Sequence, residues 1–212
     1  MKKLLVIGRT NVGKTLFCVR FASYLGLKDL RFIFEDADGK TGQQHMSVRE
    51  AERTLSDPLA HRTQRLQSLH IEFPRGKDNR QLLLTDTTGL SDGIHPEPKV
   101  RQAMAQTLLA MSAASVILHM VDAYELGKSV MVAQGEASSL PHSTWTDLDE
   151  QVVSFGASHE GYVVLANKID LPGARRGYKR LSERLSKHKV IPISALDGTG
   201  FREVKQHVWR MA

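Results

Sequence analysis

The sequence predicts an α/β domain with a mostly parallel central sheet and helices on both faces. Three observations support this prediction. Short apolar runs of strand length alternate with longer stretches of helical spacing. A glycine-rich motif lies between the first predicted strand and the first predicted helix. Polar motifs follow several later strands, at the edge where open α/β sheets bind ligands.

Six apolar runs are typical of buried strands. They are Leu4–Ile7, His70–Phe73, Gln81–Thr85, Val116–Val121, Tyr162–Ala166 and Val190–Ile193. A turn-rich segment, residues 74–79, joins the second and third strands, so we expect these two to form an antiparallel hairpin.

Helical spacing predicts four helices, and a fifth begins near Thr144. The four are Thr15–Leu25, Lys99–Ala113, Ala174–Lys187 and Phe201–Met211. Residues 28–68 are polar, basic and weakly periodic, which predicts a long mobile connection with one short helix around Arg49–Leu55. Residues 123–143 are rich in Gly, Ser and Met, and we expect a surface insertion there.

Composition favours one folded domain over residues 1–212, with 41% apolar and 25% charged residues. The 29 Lys and Arg against 23 Asp and Glu give a net charge of +6, which favours anionic partners. A single cysteine, Cys18, excludes an intrachain disulfide and suits a reducing compartment. No apolar run reaches the roughly 20 residues of a membrane span, so we expect a soluble protein, and the single cysteine favours the cytoplasm.

The segment Gly8–Thr15 fits the phosphate-binding pattern G-x-x-x-x-G-K-[ST]. Backbone N–H groups of such a loop surround phosphate oxygens at a helix N-terminus. We expect Lys14 to contact the β- and γ-phosphates, and the Thr15 hydroxyl to bind Mg²⁺. The predicted phosphate-loop residues are Gly8, Arg9, Thr10, Asn11, Val12, Gly13, Lys14 and Thr15. The alternative is a chance glycine turn.

The motif Asn167–Asp170 follows the fifth predicted strand and points to guanine. The Asp170 carboxylate can accept hydrogen bonds from both adjacent guanine donors, whereas adenine lacks the ring N–H at that position. The Lys168 side chain can cover one face of the base. By itself this motif would fit an ordinary loop equally well, so its weight comes from the other motifs.

Two further motifs follow strands. Asp86–Gly89 supplies a carboxylate for a Mg²⁺ site and a glycine N–H, that of Gly89, for the γ-phosphate. The segment Ser194, Ala195 and Leu196 follows the last strand, where the Ala195 N–H is available to the guanine carbonyl oxygen.

Four motifs in this order, each at a strand end, resemble the GTP-binding domain of P-loop GTPases. More narrowly, the chain resembles the Era/TrmE branch of the translation-factor-related (TRAFAC) class, through Gly8–Thr15, Asp86–Leu90, Val121–Ala123, Asn167–Asp170 and Ser194–Gly200. The resemblance covers nearly the whole chain. It implies a P-loop NTPase three-layer sandwich with six strands, the second antiparallel, in a stand-alone G domain that hydrolyses GTP to GDP and phosphate as a molecular switch.

Two positions bear on hydrolysis. Leu90 stands where Ras-like relatives carry the glutamine that orients the attacking water, so we expect slow intrinsic hydrolysis. Asn11 matches the asparagine that helps hold K⁺ in potassium-dependent members of the branch, which implies cation assistance. A turn-stabilising role for Asn11 is the alternative.

The first switch departs from the family pattern. Thr63 is the best candidate for the threonine that contacts Mg²⁺ and the γ-phosphate, and Thr41 and Thr54 are alternatives. In the second switch, Glu97 or His95 could assist a water molecule, although both residue types are commonly solvated in loops.

Charge and family together suggest partners. The resemblance implies a protein effector or activator, and two copies could meet in a nucleotide-dependent homodimer. The basic helix over Ala174–Lys187 is either a solvated face or a contact for ribosomal RNA or an anionic membrane, the latter giving peripheral membrane association. The competing function is a GTP-binding interaction module with negligible hydrolysis.

Overall fold

A computed structural model describes residues 1–35, 39–55, 66–75, 78–87, 98–132 and 145–211. The strands in this part of the chain are β1 (Lys2–Ile7), β2 (Asp29–Glu35), β3 (Thr41–Ser47), β4 (Leu66–Arg75), β5 (Asp78–Asp86), β6 (Val116–Asp122), β7 (Tyr162–Asn167) and β8 (Val190–Pro192). The helices are α1 (Lys14–Tyr24), α2 (Val48–Leu55), α3 (Pro98–Ala113), α4 (Ala123–Val132), α5 (Asp147–Gly156), α6 (Ala174–Arg184) and α7 (Phe201–Met211).

All eight strands form one sheet in the order β3-β2-β4-β5-β1-β6-β7-β8. The five strands from β5 to β8 are parallel, while β4 is antiparallel to both of its neighbours. The hairpin predicted for the second and third strands is therefore confirmed. The α/β fold class is confirmed as well, with eight strands in the described sheet instead of the predicted six.

Two hydrophobic cores lie on opposite faces of the sheet, and alternation along β1 builds both. Leu4 and Val6 face one core, while Leu5 and Ile7 face the other. The first core packs against α1, α2 and α7, and the second against α3, α4, α5 and α6. Burial of each aliphatic side chain stabilises the folded state by about 1.5–3 kcal/mol. The alternation of buried side chains along the strands therefore fixes the arrangement of helices on both faces of the sheet.

The prediction of an irregular connection over residues 28–68 is wrong for two segments, because these segments form the strands β2 and β3. Alternation in β2 buries Leu30, Phe32 and Phe34 in the first core. In β3 only Met46 is buried, so the apolar pattern carried almost no strand signal. Pairing with β2 over all seven residues holds β3 in place. The short helix is confirmed as α2.

The predicted surface insertion over residues 123–143 is wrong for its first part, which forms α4. Ala123 and Leu126 are fully buried in the second core. The helix packs closely on α6, since a Cβ atom on Gly177 would lie only 2.0 Å from the Ala123 carbonyl oxygen. The remainder of the predicted insertion, residues 133–143, lies outside the described residues.

The remaining predicted helices are confirmed to within a few residues at their ends. Helix α6 ends at Arg184, three residues before the predicted end. A capping box at Thr146 and Asp149 begins α5. Within the described part of the chain, no helix combines the length and apolar character needed to cross a bilayer.

Candidate nucleotide-binding site

The sequence motifs meet at one edge of the sheet, because parallel strands end on the same side. The last residues of β1 and β5 are neighbours, with Val6 beside Asp86. The ends of β6 and β7 are also paired, with Asp122 beside Asn167. The loops after these strands therefore share one surface.

The phosphate loop follows β1 and begins α1. Asn11 has a left-handed backbone with φ 63°, and Gly13 has φ 96°. A Cβ atom on Gly13 would lie 2.5 Å from Asn167 Nδ2, so only glycine fits this contact between two loops. The Asn11 side chain is exposed, and its backbone conformation is one that asparagine adopts more readily than most residues.

Lys14 is folded onto the loop that precedes it. Its Nζ donates hydrogen bonds to the carbonyl oxygens of Gly8, at 3.1 Å, and Arg9, at 2.8 Å. Burial lowers the pKa of Lys14, and the nearby Asp86 carboxylate partly opposes this effect. A desolvated ammonium group that now uses backbone carbonyls is well placed to interact strongly with a phosphate.

Thr15 and Asp86 form the candidate metal site. The Thr15 hydroxyl donates to Asp86 Oδ2 at 2.6 Å, while Asp86 Oδ1 is buried and has no hydrogen-bond partner among the described residues. Burial raises the pKa of Asp86 to about 6, against the opposing effects of Lys14 and Thr15. A hydroxyl and a buried carboxylate are the hard oxygen ligands that Mg²⁺ prefers, with water and phosphate oxygens completing its shell.

Asn167 joins three loops through its amide group. Its Nδ2 donates to the Val12 carbonyl oxygen at 2.7 Å, and its Oδ1 accepts from the Ala195 N–H at 2.9 Å. The side chain is almost completely buried. It therefore fixes the phosphate loop and the last loop of the site relative to β7.

Lys168 and Asp122 form an ion pair beside this connection. The Nζ–Oδ2 distance is 2.5 Å, and Lys168 has a left-handed backbone with φ 67°. The other oxygen of Asp122 accepts from the N–H groups of Tyr124 and Glu125 at the start of α4. One carboxylate thus caps a helix and orients the lysine predicted to cover the base. This role was not predicted from the sequence, although Asp122 directly follows the predicted strand Val116–Val121.

The last loop is held by hydrogen bonds around the fully buried Ser194. Its Oγ accepts from the N–H groups of Leu196 and Asp197, each at 3.2 Å. Hydrogen bonds from Thr199 lower the pKa of Asp197. Leu196 is left exposed at the surface, where its apolar side chain can contact a ligand.

Asp170 is exposed and borders a cavity of about 450 Å³. Arg175, Asp197 and Thr199 also line this cavity. The cavity lies between the base motif and the Ser194 loop, and it offers both hydrogen-bond donors and acceptors. These groups suit a polar heterocycle.

Several predicted residues lie outside the described part of the chain, namely Thr63, Gly89, Leu90, His95 and Glu97. Their predicted roles stay predictions.

One alternative for the switch threonine, Thr41, has a defined place in the sheet. Thr41 begins β3, three strands from β5, so its backbone is roughly 14 Å from the β5 strand at normal strand spacing. Thr54 lies exposed on α2. Thr41 is therefore not brought to Asp86 in the sheet, and the role of Thr54 stays a prediction. Gln67, four residues after Thr63, pairs with Asp86 in the ladder.

The fold and the geometry of these loops define a P-loop GTPase domain. A family model described as 50S ribosome-binding GTPase matches residues 3–168, and the chain belongs to this family. At least three quarters of the chain lies within that match, which includes the phosphate loop and the first two residues of the base motif.

Curated relatives are similar over part of the chain. The GTPase Obg of Moorella thermoacetica is 26% identical over 137 residues, which are 63% of this chain and 29% of that protein. The GTPase Obg of Shouchella clausii is 28% identical over 131 residues, which are 60% of this chain and 28% of that protein. The chain therefore matches less than a third of the length of these relatives.

Solved structures are similar over nearly the whole chain. Era in complex with MgGDPNP and nucleotides 1506–1542 of 16S ribosomal RNA has a TM-score of 0.63 and 19% identity, covering 99% of this chain and 56% of that chain. The G domain of the Thermotoga maritima FeoB iron transporter has a TM-score of 0.54 and 15% identity, covering 100% of this chain and 98% of that chain. At these identities the likeness shows the fold.

Proposed function

We propose that this protein binds GTP with Mg²⁺, hydrolyses it slowly to GDP and phosphate, and acts as a molecular switch of the Era/TrmE branch. The observation that carries the proposal is the buried Asp86 Oδ1, which lies beside the Thr15 hydroxyl next to the phosphate loop and has no hydrogen-bond partner in the part of the chain that the structure describes. A buried polar atom without a partner is costly, and a bound cation would relieve that cost.

The phosphate loop and Lys14 bind the triphosphate. The backbone N–H groups of the loop point toward phosphate oxygens, and the α1 N-terminus adds partial positive charge. Lys14 exchanges its bonds to the Gly8 and Arg9 carbonyls for the β- and γ-phosphates. Thr15 and Asp86 hold the Mg²⁺, whose charge neutralises the phosphate oxygens.

The loops after β7 and β8 bind guanine. Asp170 accepts from the ring N–H and the exocyclic amine, and the Ala195 N–H lies next to the expected position of the base carbonyl. Lys168, oriented by Asp122, covers one face of the base with its side chain. Adenine would leave the Asp170 carboxylate poorly paired, and this disfavours ATP.

Hydrolysis proceeds by in-line attack of water on the γ-phosphorus, with cleavage of the bond to the β–γ bridging oxygen and departure of GDP. Thr63, Gly89 and Glu97 are the candidates for positioning the water and the γ-phosphate. Leu90 replaces the usual glutamine, which is the reason for the slow rate. K⁺ held by Asn11 would supply additional positive charge.

The second candidate function is a GTP-binding interaction module with negligible hydrolysis. Leu90 is the specific observation in its favour, because a leucine cannot orient water. Both candidate functions use the same nucleotide site and predict GTP binding. The rate of GTP turnover therefore distinguishes them, whereas GTP affinity does not.

For partners, we propose a protein effector or activator in the cytoplasm and a contact of exposed basic residues on α6 with RNA. The similar Era structure contains 16S ribosomal RNA, which supports this choice. Arg175, Arg176 and Lys179 are exposed on α6. Peripheral binding to an anionic membrane is the alternative for the same residues, and a nucleotide-dependent homodimer across the switches is a separate proposal.

The experiment measures GTP and GDP affinity and then GTP turnover, in K⁺ and in Na⁺ at equal ionic strength. Asn11→Ala tests the cation, and Asp170→Ala tests the base. Gln151→Ala is the matched control, because Gln151 is an exposed amide on α5, outside the loops of the site.

Faster turnover in K⁺ that is lost in Asn11→Ala, with Gln151→Ala unchanged, is the expected result. Tight GTP binding without turnover in either salt would instead establish the interaction module. Equal competition by ATP, or an Asp170→Ala variant with normal GTP affinity, would contradict guanine recognition.

A further inference from the structure

The two edges of the sheet are built differently. One edge is β8, which has three residues and ends with Pro192. The other is β3, which has seven residues, each paired with one residue of β2 without a bulge. On its outer side, β3 has no strand partner among the described residues. Its backbone N–H and C=O groups on that side are free of a described sheet partner.

Edge strands usually carry features that prevent pairing with another chain, such as short length, lysine, proline or a bulge. β8 has two of these features, and β3 has none. The sequence of β3, Thr-Gly-Gln-Gln-His-Met-Ser, contains no Lys, Arg, Asp, Glu or Pro. The neighbouring inner strand β2 carries Asp29, Arg31 and Glu35 instead, so the charges lie on the strand that is already paired on both sides.

The surface of β3 is also accessible. All of its residues except Met46 are exposed. The Met46 side chain packs in the first core and holds β3 against that face of the sheet. β3 therefore combines a fixed backbone with exposed, uncharged side chains, which is the geometry that a second strand needs for pairing.

We propose that β3 pairs in antiparallel fashion with β3 of a second copy of this chain, about a two-fold axis at Gln44. This register gives the longest overlap, because all seven residues find a partner. Gln44 faces its own symmetry mate, Gln43 faces the partner's His45, and Thr41 faces the partner's Ser47. Such an interface is isologous, since the same strand contributes from both sides.

The side chains favour self-pairing over pairing with an unrelated strand. Three of the four kinds of cross-strand pair join groups that can hydrogen-bond to each other, and none brings like charges together. The flanking residues are complementary too. In this register Lys40 lies beside the first turn of the partner's α2, and Glu50 is the acidic residue of that turn. The symmetry repeats this contact at the other end.

The two-fold axis is perpendicular to the sheet, so the two nucleotide sites point in opposite directions. Thr41 lies at the same end of the sheet as Asp86, whereas Ser47 lies at the opposite end. Both phosphate loops remain open in the dimer. The pairing needs no nucleotide, and this inference does not rest on the proposed function. A single strand pair buries less surface than a standard interface, so we expect a weak, reversible dimer.

Sedimentation velocity on the whole chain over about 5 to 300 µM, without nucleotide, with GDP and with a non-hydrolysable GTP analogue, measures the association. Gln44→Lys and Gln44→Glu each place like charges opposite one another on the axis, which should weaken the dimer at least about tenfold. An equimolar mixture of the two variants pairs Lys with Glu and should restore association. Gln151→Lys, on the exposed surface of α5, is the charge-matched control.

Self-association that is lost in both Gln44 variants, restored in their mixture and retained in Gln151→Lys would support the pairing. The restored mixture also excludes misfolding as the cause of the loss. A wild-type protein that stays monomeric over the whole range would overturn the proposal. So would a dimer that is unaffected by charge at Gln44, or one that forms only with GTP, because either would use another surface.

Discussion

The base side and the phosphate side of the nucleotide site differ in how well their buried polar groups are paired. On the base side, Asn167 uses both amide atoms, and Ser194 accepts two backbone N–H groups. On the phosphate side, Asp86 Oδ1 has no hydrogen-bond partner within the described ranges, and Lys14 donates to carbonyl oxygens of its own loop. The buried Asn167 and Ser194 side chains of the base side thus find their hydrogen-bond partners within the protein, whereas Asp86 Oδ1 of the phosphate side finds none among the described residues.

This difference indicates that the two sides respond differently to ligand. The base loops are preorganised, so binding there costs little ordering. The phosphate side holds a desolvated lysine and a desolvated carboxylate, and these groups gain most when phosphate and a cation arrive. Removing Lys14 should therefore mainly lower nucleotide affinity, whereas truncating Asn167 on the base side should lower the stability of the fold as well.

The largest expected effect comes from Lys14→Ala. The variant loses charge-assisted hydrogen bonds to the β- and γ-phosphates, so GTP affinity should fall by about 10²- to 10³-fold. Isothermal titration calorimetry measures the change. Lys187→Ala, an exposed lysine beyond α6, is the control and should bind normally. A loss of less than tenfold would show that Lys14 keeps its bonds to Gly8 and Arg9 when nucleotide binds.

Asn167→Ala should act on the fold first. The variant leaves the Val12 carbonyl and the Ala195 N–H without buried partners, which should lower the free energy of unfolding by about 2–4 kcal/mol. GTP and GDP affinity should fall by the same factor, because the Asn167 side chain connects the two loops and has no predicted contact with the γ-phosphate. Chemical denaturation without nucleotide gives the stability change.

Asn167→Asp is the informative companion, since it keeps the acceptor for Ala195 and removes the donor to Val12. A stability no higher than that of Asn167→Ala is expected, because a carboxylate oxygen would face the Val12 carbonyl oxygen at a buried position. If Asn167→Ala unfolds at the same denaturant concentration as the wild type, the base side is not held together by this residue.

Asp86 should make the nucleotide-free protein less stable as the pH rises. Burial raises its pKa in the folded state to about 6, against an ordinary value of 3.8, so the folded state holds its proton more tightly. The stabilising contribution is complete below about pH 3.8 and is lost as the pH rises through 6. That difference corresponds to about 3 kcal/mol.

The measurement is the free energy of unfolding between about pH 4.5 and 7.5 for the wild type and for Asp86→Asn, which cannot titrate. The difference between the two profiles isolates this carboxyl from the other acidic groups. If the free energy of unfolding of the two proteins changed with pH in the same way, burial would not raise the pKa of Asp86. The base side and the phosphate side would then differ less in how well their buried polar groups are accommodated.

The sequence predicted the loops of the site better than the switch side of the sheet, for physical reasons. Loop motifs place specific residue types at strand ends, and β1, β5 and β7 carry strong apolar runs. β2 also had a signal, since Leu30, Phe32 and Phe34 alternate, but the surrounding polar residues obscured it. β3 had none, because it is held by backbone pairing and one methionine. Local amino-acid composition does not predict long-range strand pairing of this kind.

Side-chain partners were harder to predict than motifs. The Asp122–Lys168 pair joins residues 46 positions apart, and it depends on the register between β6 and β7. Helix α4 was missed because glycine in its sequence suggested a loop. Gly127 instead allows the close crossing with α6, where a Cβ atom would lie 2.4 Å from the Gly173 carbonyl oxygen.

The smallest expected effect comes from Asp122→Asn. Asparagine keeps an oxygen to accept from Tyr124 and Glu125, so the start of α4 is preserved while the charge facing Lys168 is removed. A partly exposed ion pair contributes up to about 1 kcal/mol, so GDP and GTP affinity should fall by about fivefold at low salt. The deficit should shrink at high salt, because screening weakens the pair in the wild type as well. Fluorescence titration with labelled GDP at several ionic strengths measures both effects, with Asp147→Asn as the exposed control. An unchanged affinity at low salt would mean that Lys168 covers the base without help from Asp122, and that the base side owes its order to Asn167 and Ser194 alone.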